Sequence, residues 1–199
     1  MLAGLGTSQA VTAADTIVVD GPAIASNTAQ VEVTGQSLAL LQVPDLRFEA
    51  VNVEALIQGA KTLSLASGVV TKDGAGPGFD GDDQKQIVVS DLRGTNSGWQ
   101  LLVKLDAFQL ADTQTALMPT SATFAPSPAT GVNVAGIALK PLNFADTDAP
   151  VVVAPAGRGT GVTTVAITSA SVTLPQTKNA LAGDYRAPLN WLLVSGPLP

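Results

Sequence analysis

Hydrophobic and polar positions along this chain repeat with a period of two far more often than with a helical period. In Trp99–Asp106, Trp99, Leu101, Val103 and Leu105 fall on one face of an extended strand. Gln100, Leu102, Lys104 and Asp106 fall on the other, a mixed face that predicts partial exposure. Leu189, Trp191 and Leu193 alternate likewise, but Leu192 and Val194 make the opposite face apolar too, which predicts a strand buried on both sides. Gln30–Thr34 alternates, as does Arg47–Val53, with Phe48, Ala50 and Asn52 on one face. Further strands are expected at Thr16–Val19, Ser37–Val43, Thr62–Val70, Gln86–Leu92, Thr115–Met118, Val132–Leu139, Val151–Val153 and Thr163–Leu174, punctuated by Pro, Gly, Asn, Asp and Thr. Glu54–Lys61 fits a turn of helix, and no stretch holds a 3.6-residue period over three turns.

Short strands at roughly 8–12-residue spacing predict an all-β chain. The expected form is a single-domain β-sandwich of mostly antiparallel strands, with long loops and at most one short helix. Gln86–Leu92 and Trp99–Asp106, joined by the turn-rich Arg93–Gly98, read as a hairpin-like pair. Residues 1–13 are small and polar and are expected to form a flexible N-terminal segment, with the β domain over 14–199. Asp73–Asp83 is a Gly/Pro-rich loop whose aspartates invite a calcium reading. Their spacing does not fit an EF-hand loop, and a solvated hairpin loop explains them.

Composition narrows the function. Hydrophobic residues make up 46% of the 199 positions, enough for a core without cross-links. Aromatics are only 4%, so that core must be aliphatic, with each Trp a large local contribution. Charged residues are 13%, against roughly 25% in an average globular domain, which suits a surface-exposed β protein. The net charge is −6, and the ten basic residues form no cluster, which argues against nucleic-acid and anionic-membrane binding. The absence of Cys and His removes thiol chemistry, disulfides, the usual zinc sites and any His-based triad. No cofactor or metal is expected, and no apolar run approaches the roughly 20 residues of a membrane-spanning helix.

Two segments stand out. Asp91-Leu92-Arg93-Gly94-Thr95-Asn96-Ser97-Gly98-Trp99-Gln100-Leu101 lies at mid-chain, and Tyr185-Arg186-Ala187-Pro188-Leu189-Asn190-Trp191-Leu192-Leu193-Val194-Ser195-Gly196-Pro197 lies near the end. Each holds a Trp-x-Leu triplet, and the chain's 2 Trp are both in them. The shared pattern predicts that the two strands lie side by side or on facing sheets. Each Trp is either a core anchor or a stacking surface for sugar rings or a partner, and strict alternation with Leu and Val favours the core. Asp91 and Arg93 fit an ion pair that pins the turn, or Arg93 fits over an indole. Tyr185 suits a hydroxyl-to-backbone bond leading into the last strand.

At these residues the chain resembles the WxL domain family of Gram-positive surface proteins. The family's C-terminal signature matches Tyr185, Leu189, Trp191, Leu193 and Pro197, with Asn190 where Thr is usual. Its earlier segment matches Asp91, Arg93, Gly94, Gly98, Trp99 and Leu101. A weaker upstream element matches Pro44, Leu46 and Phe48, with Glu49 where Gly is common. The resemblance spans roughly residues 35 to 199. It implies a secreted, non-catalytic protein held non-covalently at the cell wall, its signal peptide removed. The implied partners are peptidoglycan, a membrane-anchored WxL-interacting protein and other WxL proteins. Adhesion to a host matrix protein, or a structural role in a surface complex, is the alternative. It supplies no catalytic residue. A glycosidase would need two carboxylates about 5–10 Å apart in a cleft, and neither Asp91 with Asp106 nor Asp80 with Asp83 rises above chance. Wall association through direct glycan contact and through a protein partner both remain open, and Trp exposure discriminates between them.

Overall fold

The structure, a computed structural model, describes residues 28–68, 84–110, 113–140 and 150–196. Contacts group the chain into two units, Met1–Val33 and Thr34–Pro199. The expected 1–13 segment, the boundary at residue 14, the Thr16–Val19 strand, the Asp73–Asp83 loop and Pro197 lie outside the described residues. In the first unit Gln30–Val33 carries no strand, because alternation makes a strand only where a neighbour pairs with it.

Among the described residues, the second unit is built from strands, most of them short, and one helix. They run β1 (Leu38–Gln42), α1 (Val53–Gln58), β2 (Lys61–Ser64), β3 (Gln86–Asp91), β4 (Trp99–Leu105), β5 (Phe108–Leu110), β6 (Ala116–Leu117) and β7 (Ser121–Pro126). Then follow β8 (Thr130–Gly131), β9 (Ala138–Leu139), β10 (Pro150–Ala154), β11 (Gly161–Leu174), β12 (Tyr185–Arg186) and β13 (Leu189–Ser195). All pairings are antiparallel, as the all-β expectation requires.

One strand organises the first sheet. The N-terminal half of β11 lies between β3 and β8, and its C-terminal half between β2 and β7; β1 adds beyond β3. Its buried face is Thr163, Val165 and Ile167, then Ala170, Val172 and Leu174. The switch from odd to even positions coincides with a register shift between Ile167 and Ser169 against β7. A bulge there inserts the residue that keeps both halves facing inward. The second sheet runs β13-β4-β10-β9, and a small third sheet runs β12-β5-β6.

The first two sheets share a core, as in a sandwich. Ile87, Val89, Phe124, Val165, Ile167 and Ala170 of one sheet pack with Trp99, Leu101, Val103, Val151, Val152 and Ala154 of the other. A second cluster, around Leu56, Leu105, Leu117, Ala122, Val172 and Leu174, joins the helix and the third sheet to this body.

The hairpin expected from β3 and β4 does not form. β3 pairs with β1 and β11, whereas β4 pairs with β13 and β10. Both strands carry their large apolar residues on one face, and those faces meet across the sandwich rather than side by side. The segment between them crosses the layers. Arg47–Val53 is likewise not a strand: Phe48 makes a single bridge to Leu65, and Asn52 then caps α1, its Oδ1 accepting from the Ala55 N–H at 2.7 Å. Val132–Leu139 shrinks to β9 because a turn closes at Ile137 N–H to Val134 O. β5 and β12 are too short to show a period, and β7, whose Ala122 and Phe124 alternate inward, is obscured in the sequence by its Pro126 and small residues.

Candidate functional site

The two motif strands are direct neighbours. β4 and β13 pair over their whole lengths, with Trp99 opposite Ser195, Leu101 opposite Leu193 and Val103 opposite Trp191. The two Trp-x-Leu triplets are therefore offset, so that each indole sits over a smaller side chain of the other strand. Trp99 has no exposed surface, and its indole N–H donates to Gly159 O at 3.1 Å. Trp191 is half-buried against the same core. The two Trp are thus unequal, since β4 is central and β13 is an edge.

That edge position corrects two expectations. β13 is not buried on both sides: Leu192 is 58% exposed, because β4 flanks it on one side only. The second face of β4 is more buried than expected, with Lys104 exposed but Gln100 and Leu102 buried. Val194 and Val153 flank Gln100, and Leu192 and Pro150 flank Leu102, so cross-strand neighbours cover both.

The layer-crossing segment is held by the motif's charged pair. Arg93 Nε and Nη2 donate to Asp91 Oδ1 and Oδ2, each at 2.8 Å, a bidentate fork. Arg93 Nη2 also donates to Gly98 O at 2.8 Å, and Nη1 donates to Ser195 Oγ at the end of β13. One guanidinium thus ties together β3, the crossing segment and the last strand. The pairing with Arg93 holds the Asp91 carboxyl below its usual range and raises the Arg93 guanidinium. Gly196 N–H to Gly98 O at 2.9 Å closes the same corner.

Glycines here are demanded by close approach. At Gly98 (φ +72°) a Cβ would sit 2.3 Å from Ala154 O, and at Gly159 (φ +75°) one would sit 2.5 Å from Trp99 Nε1. Gly94 is also left-handed (φ +73°) but faces open space. Residues that sequence reasoning missed complete the corner. Asn133 O accepts from Gly159 N–H, Asn133 Nδ2 donates to Gly157 O, and Asn96 O accepts from Gly157 N–H. Their only signal was a set of Gly and Asn positions in loops, which resembles ordinary turn composition.

Asp91, Arg93 and Gly98 therefore form one latch with Ser195 and Gly196, while Trp99, Leu101, Trp191 and Leu193 lie on the β4–β13 pair that the latch closes. Tyr185 and Leu189 lie away from the latch; Leu189 pairs with Leu105 at the other end of β13, and Tyr185 with Leu110 in the third sheet. The Tyr185 hydroxyl donates to Leu181 O at 3.1 Å, the backbone tie expected of it.

Tyr185 instead lines a cavity of about 540 Å³ between segments 46–53 and 181–186. Its floor holds Leu56, Leu63, Leu117, Val172 and Leu174, and Phe48 and Phe108 meet edge to face there with centroids 6.3 Å apart. One wall carries Arg47 and Glu49, the other Asp184 and Arg186. The upstream family-like residues Leu46 and Phe48 thus serve this cavity.

The carboxylates nominated for glycoside hydrolysis are committed elsewhere. Asp91 is in the Arg93 fork. Asp106 accepts from Asn190 Nδ2 at 2.8 Å and pairs with Lys104 at 3.0 Å, contacts that lower its pKa. A glycosidase acid needs a raised pKa, so both are shifted the wrong way. Asp80 and Asp83 lie outside the described residues. Among the described residues, no helix is long and apolar enough to cross a membrane.

No curated protein and no solved structure matches the chain. One family model does, described as WxL domain surface cell wall-binding, over residues 18–197. The match starts well before residue 35, where the motifs alone placed the resemblance. It covers the latch, both Trp-x-Leu strands and the cavity, and it describes wall binding rather than catalysis: the chain belongs to the WxL domain family of surface cell wall-binding proteins.

Proposed function

We propose that this protein is a secreted, non-catalytic module that associates non-covalently with peptidoglycan, and that its Trp-x-Leu strands build the domain rather than touch the wall. The observation that carries this reading is the state of Trp99: fully buried, with its only donor committed to Gly159 O. Such an indole has no face left for a sugar ring. The wall contact then uses another surface. The test is sedimentation of the purified protein with peptidoglycan stripped of teichoic acid, with Trp emission recorded alongside. The expected result is co-sedimentation without an emission shift. A red emission that shifts on binding would return the Trp residues to the ligand surface.

A second reading is favoured by the edges of the two sheets. Among the described residues β1 and β13 are both terminal strands, and Leu41 (60% exposed) and Leu192 (58% exposed) lie on them. Leu40–Val43 and Leu189–Trp191 line a cleft of about 380 Å³. An uncharged, apolar edge is a template for strand addition. In this reading a strand of a WxL-interacting protein, or of another WxL protein, completes a sheet and carries the attachment. Leu192→Lys would then abolish partner capture while leaving sedimentation with bare peptidoglycan unchanged.

A further inference from the structure

We propose that the cavity between segments 46–53 and 181–186 is the wall-contact site, and that it takes the stem peptide of peptidoglycan rather than the glycan strand. This rests on the reading of direct wall association given above.

Three features of the cavity select a peptide. The first is size: about 540 Å³ falls within the roughly 300–1,000 Å³ of ligand-sized clefts. The second is the floor. Leu56, Leu63, Leu117, Val172 and Leu174 offer no hydrogen-bond partner from their side chains. Sugar hydroxyls pressed against them would lose water without replacement, whereas the methyl groups of a short peptide would gain from burial.

The third feature is charge. Each wall includes one basic and one acidic residue, Arg47 with Glu49 and Asp184 with Arg186; the Arg47 guanidinium lies beside Gly68 at the outer side of its wall. Glu49 and Asp184 are exposed at the mouth, and Glu49 also accepts weakly from Ser64 N–H at 3.4 Å. A neutral glycan has no use for such a rim. A stem peptide carries free carboxylates and a free amine within a few residues, and this rim can meet both signs. The planar fork of an Arg such as Arg47 suits a carboxylate, and Glu49 and Asp184 suit the ammonium.

The backbone adds a further docking element. Glu49 N–H bonds Ser64 O and Ala66 N–H bonds Arg47 O, so residues 47 and 49 face β2. In that pattern the N–H and C=O of Phe48 point the other way, which leaves the outer edge of this wall oriented for an extended peptide.

The experiment is an NMR titration of the whole isotope-labelled protein with two soluble probes. One is a synthetic stem tetrapeptide with its diamino residue unblocked; the other is an N-acetylglucosamine tetrasaccharide. The expected result is that the tetrapeptide shifts amide signals of 46–53 and 181–186 and leaves those of 93–101 in place. Glu49→Lys and Asp184→Lys, both at exposed positions, should each raise its Kd at least tenfold with unchanged melting. Three results would overturn the proposal: no shifts in those two segments, the same shifts from the tetrasaccharide alone, or an unaltered Kd in both variants. Sedimentation with peptidoglycan separates the two levels. If wild type and the double variant sediment equally, the cavity is not the contact, though wall association stands. If wild type does not sediment, the reading of direct association fails with it.

Discussion

Replacing Trp99 by Ala tests whether the motif is architecture. A Trp side chain removes on the order of 200 Å² from water, which at about 25 cal/mol per Å² is an upper bound near 5 kcal/mol. Measured Trp-to-Ala losses in cores run about 3–5 kcal/mol, including the cavity left behind. Trp99 sits at the top of that range because it is fully buried between the sheets. Losing its N–H also leaves Gly159 O without that donor, which adds up to about 1 kcal/mol where water does not replace it. The expected loss is therefore about 4–6 kcal/mol. At roughly 2–4 °C per kcal/mol for a domain of this size, the melting temperature should fall by about 10–20 °C.

Trp191→Ala is the internal control. Its side chain is partly exposed and lies on an edge strand, so a smaller loss of about 3 kcal/mol is expected from its smaller burial. The assay is urea unfolding followed by far-UV circular dichroism, comparing midpoints at a common slope. Equal losses for the two variants, or a Trp99→Ala loss under about 1.5 kcal/mol, would refute the assignment of Trp99 as the central core anchor.

Arg93→Ala should destabilise by about 3–5 kcal/mol in the same assay, because it strands the buried Asp91 carboxylate; Arg93→Lys should recover only part, lacking the fork. The Asp91 pKa is lowered in the folded state, so its contribution is fully present above the unfolded carboxylate value near 3.9 and is lost as pH falls through the lower folded value. Stability measured from pH 5 downward should therefore decline less steeply in Asp91→Asn than in wild type. Gly159→Ala should lose about 2–4 kcal/mol, combining left-handed strain with the clash on Trp99, whereas Gly94→Ala, left-handed but in open space, should lose only about 1 kcal/mol. Thr163 Oγ1 is buried with no partner among the described residues, so Thr163→Val should be neutral or raise the unfolding midpoint.

What was legible in the sequence follows from how local each signal is. Period-two alternation over seven residues, as in Trp99–Leu105, reports a buried face directly, and Val165, Ile167, Ala170, Val172 and Leu174 reported β11 despite the shift of phase. Pairing is less local. The Arg93–Gly98 segment has the composition of a hairpin turn, yet it crosses between sheets, because composition records backbone freedom and not the layer to which the chain returns. Two-sided burial of β13 was misjudged for the same reason: Leu192 and Val194 look like core, but exposure depends on how many strands flank β13, which its own residues do not state. The cavity was the least legible feature. Its walls, 46–53 and 181–186, are remote in sequence, and Phe48, Phe108 and Tyr185 become neighbours only once β2, β5 and β12 are placed.

The echo between the two motif segments has a structural reason. A last strand at a sheet edge has one neighbour and few means of fixing its register, and a slip of one residue would turn Leu189, Trp191 and Leu193 outward. Here register is fixed at both ends. At one, the Arg93 guanidinium reaches Ser195 and Gly196 N–H reaches Gly98 O. At the other, Asn190 Nδ2 bonds Asp106. A Thr, usual at position 190 in the family signature, is too short to copy that amide-to-carboxylate bond with the same geometry. The Asn190–Asp106 pair thus depends on the Asn of this chain, and the latch at the other end is formed by Asp91, Arg93 and Gly98 of its mid-chain segment. Asp-x-Arg-Gly and Gly-Trp-x-Leu are near neighbours in sequence whereas the terminal Trp-x-Leu is remote, and the latch joins them by linking β3, the crossing segment and β13. Their joint occurrence accounts for how β3, the crossing segment, β4 and β13 are held together.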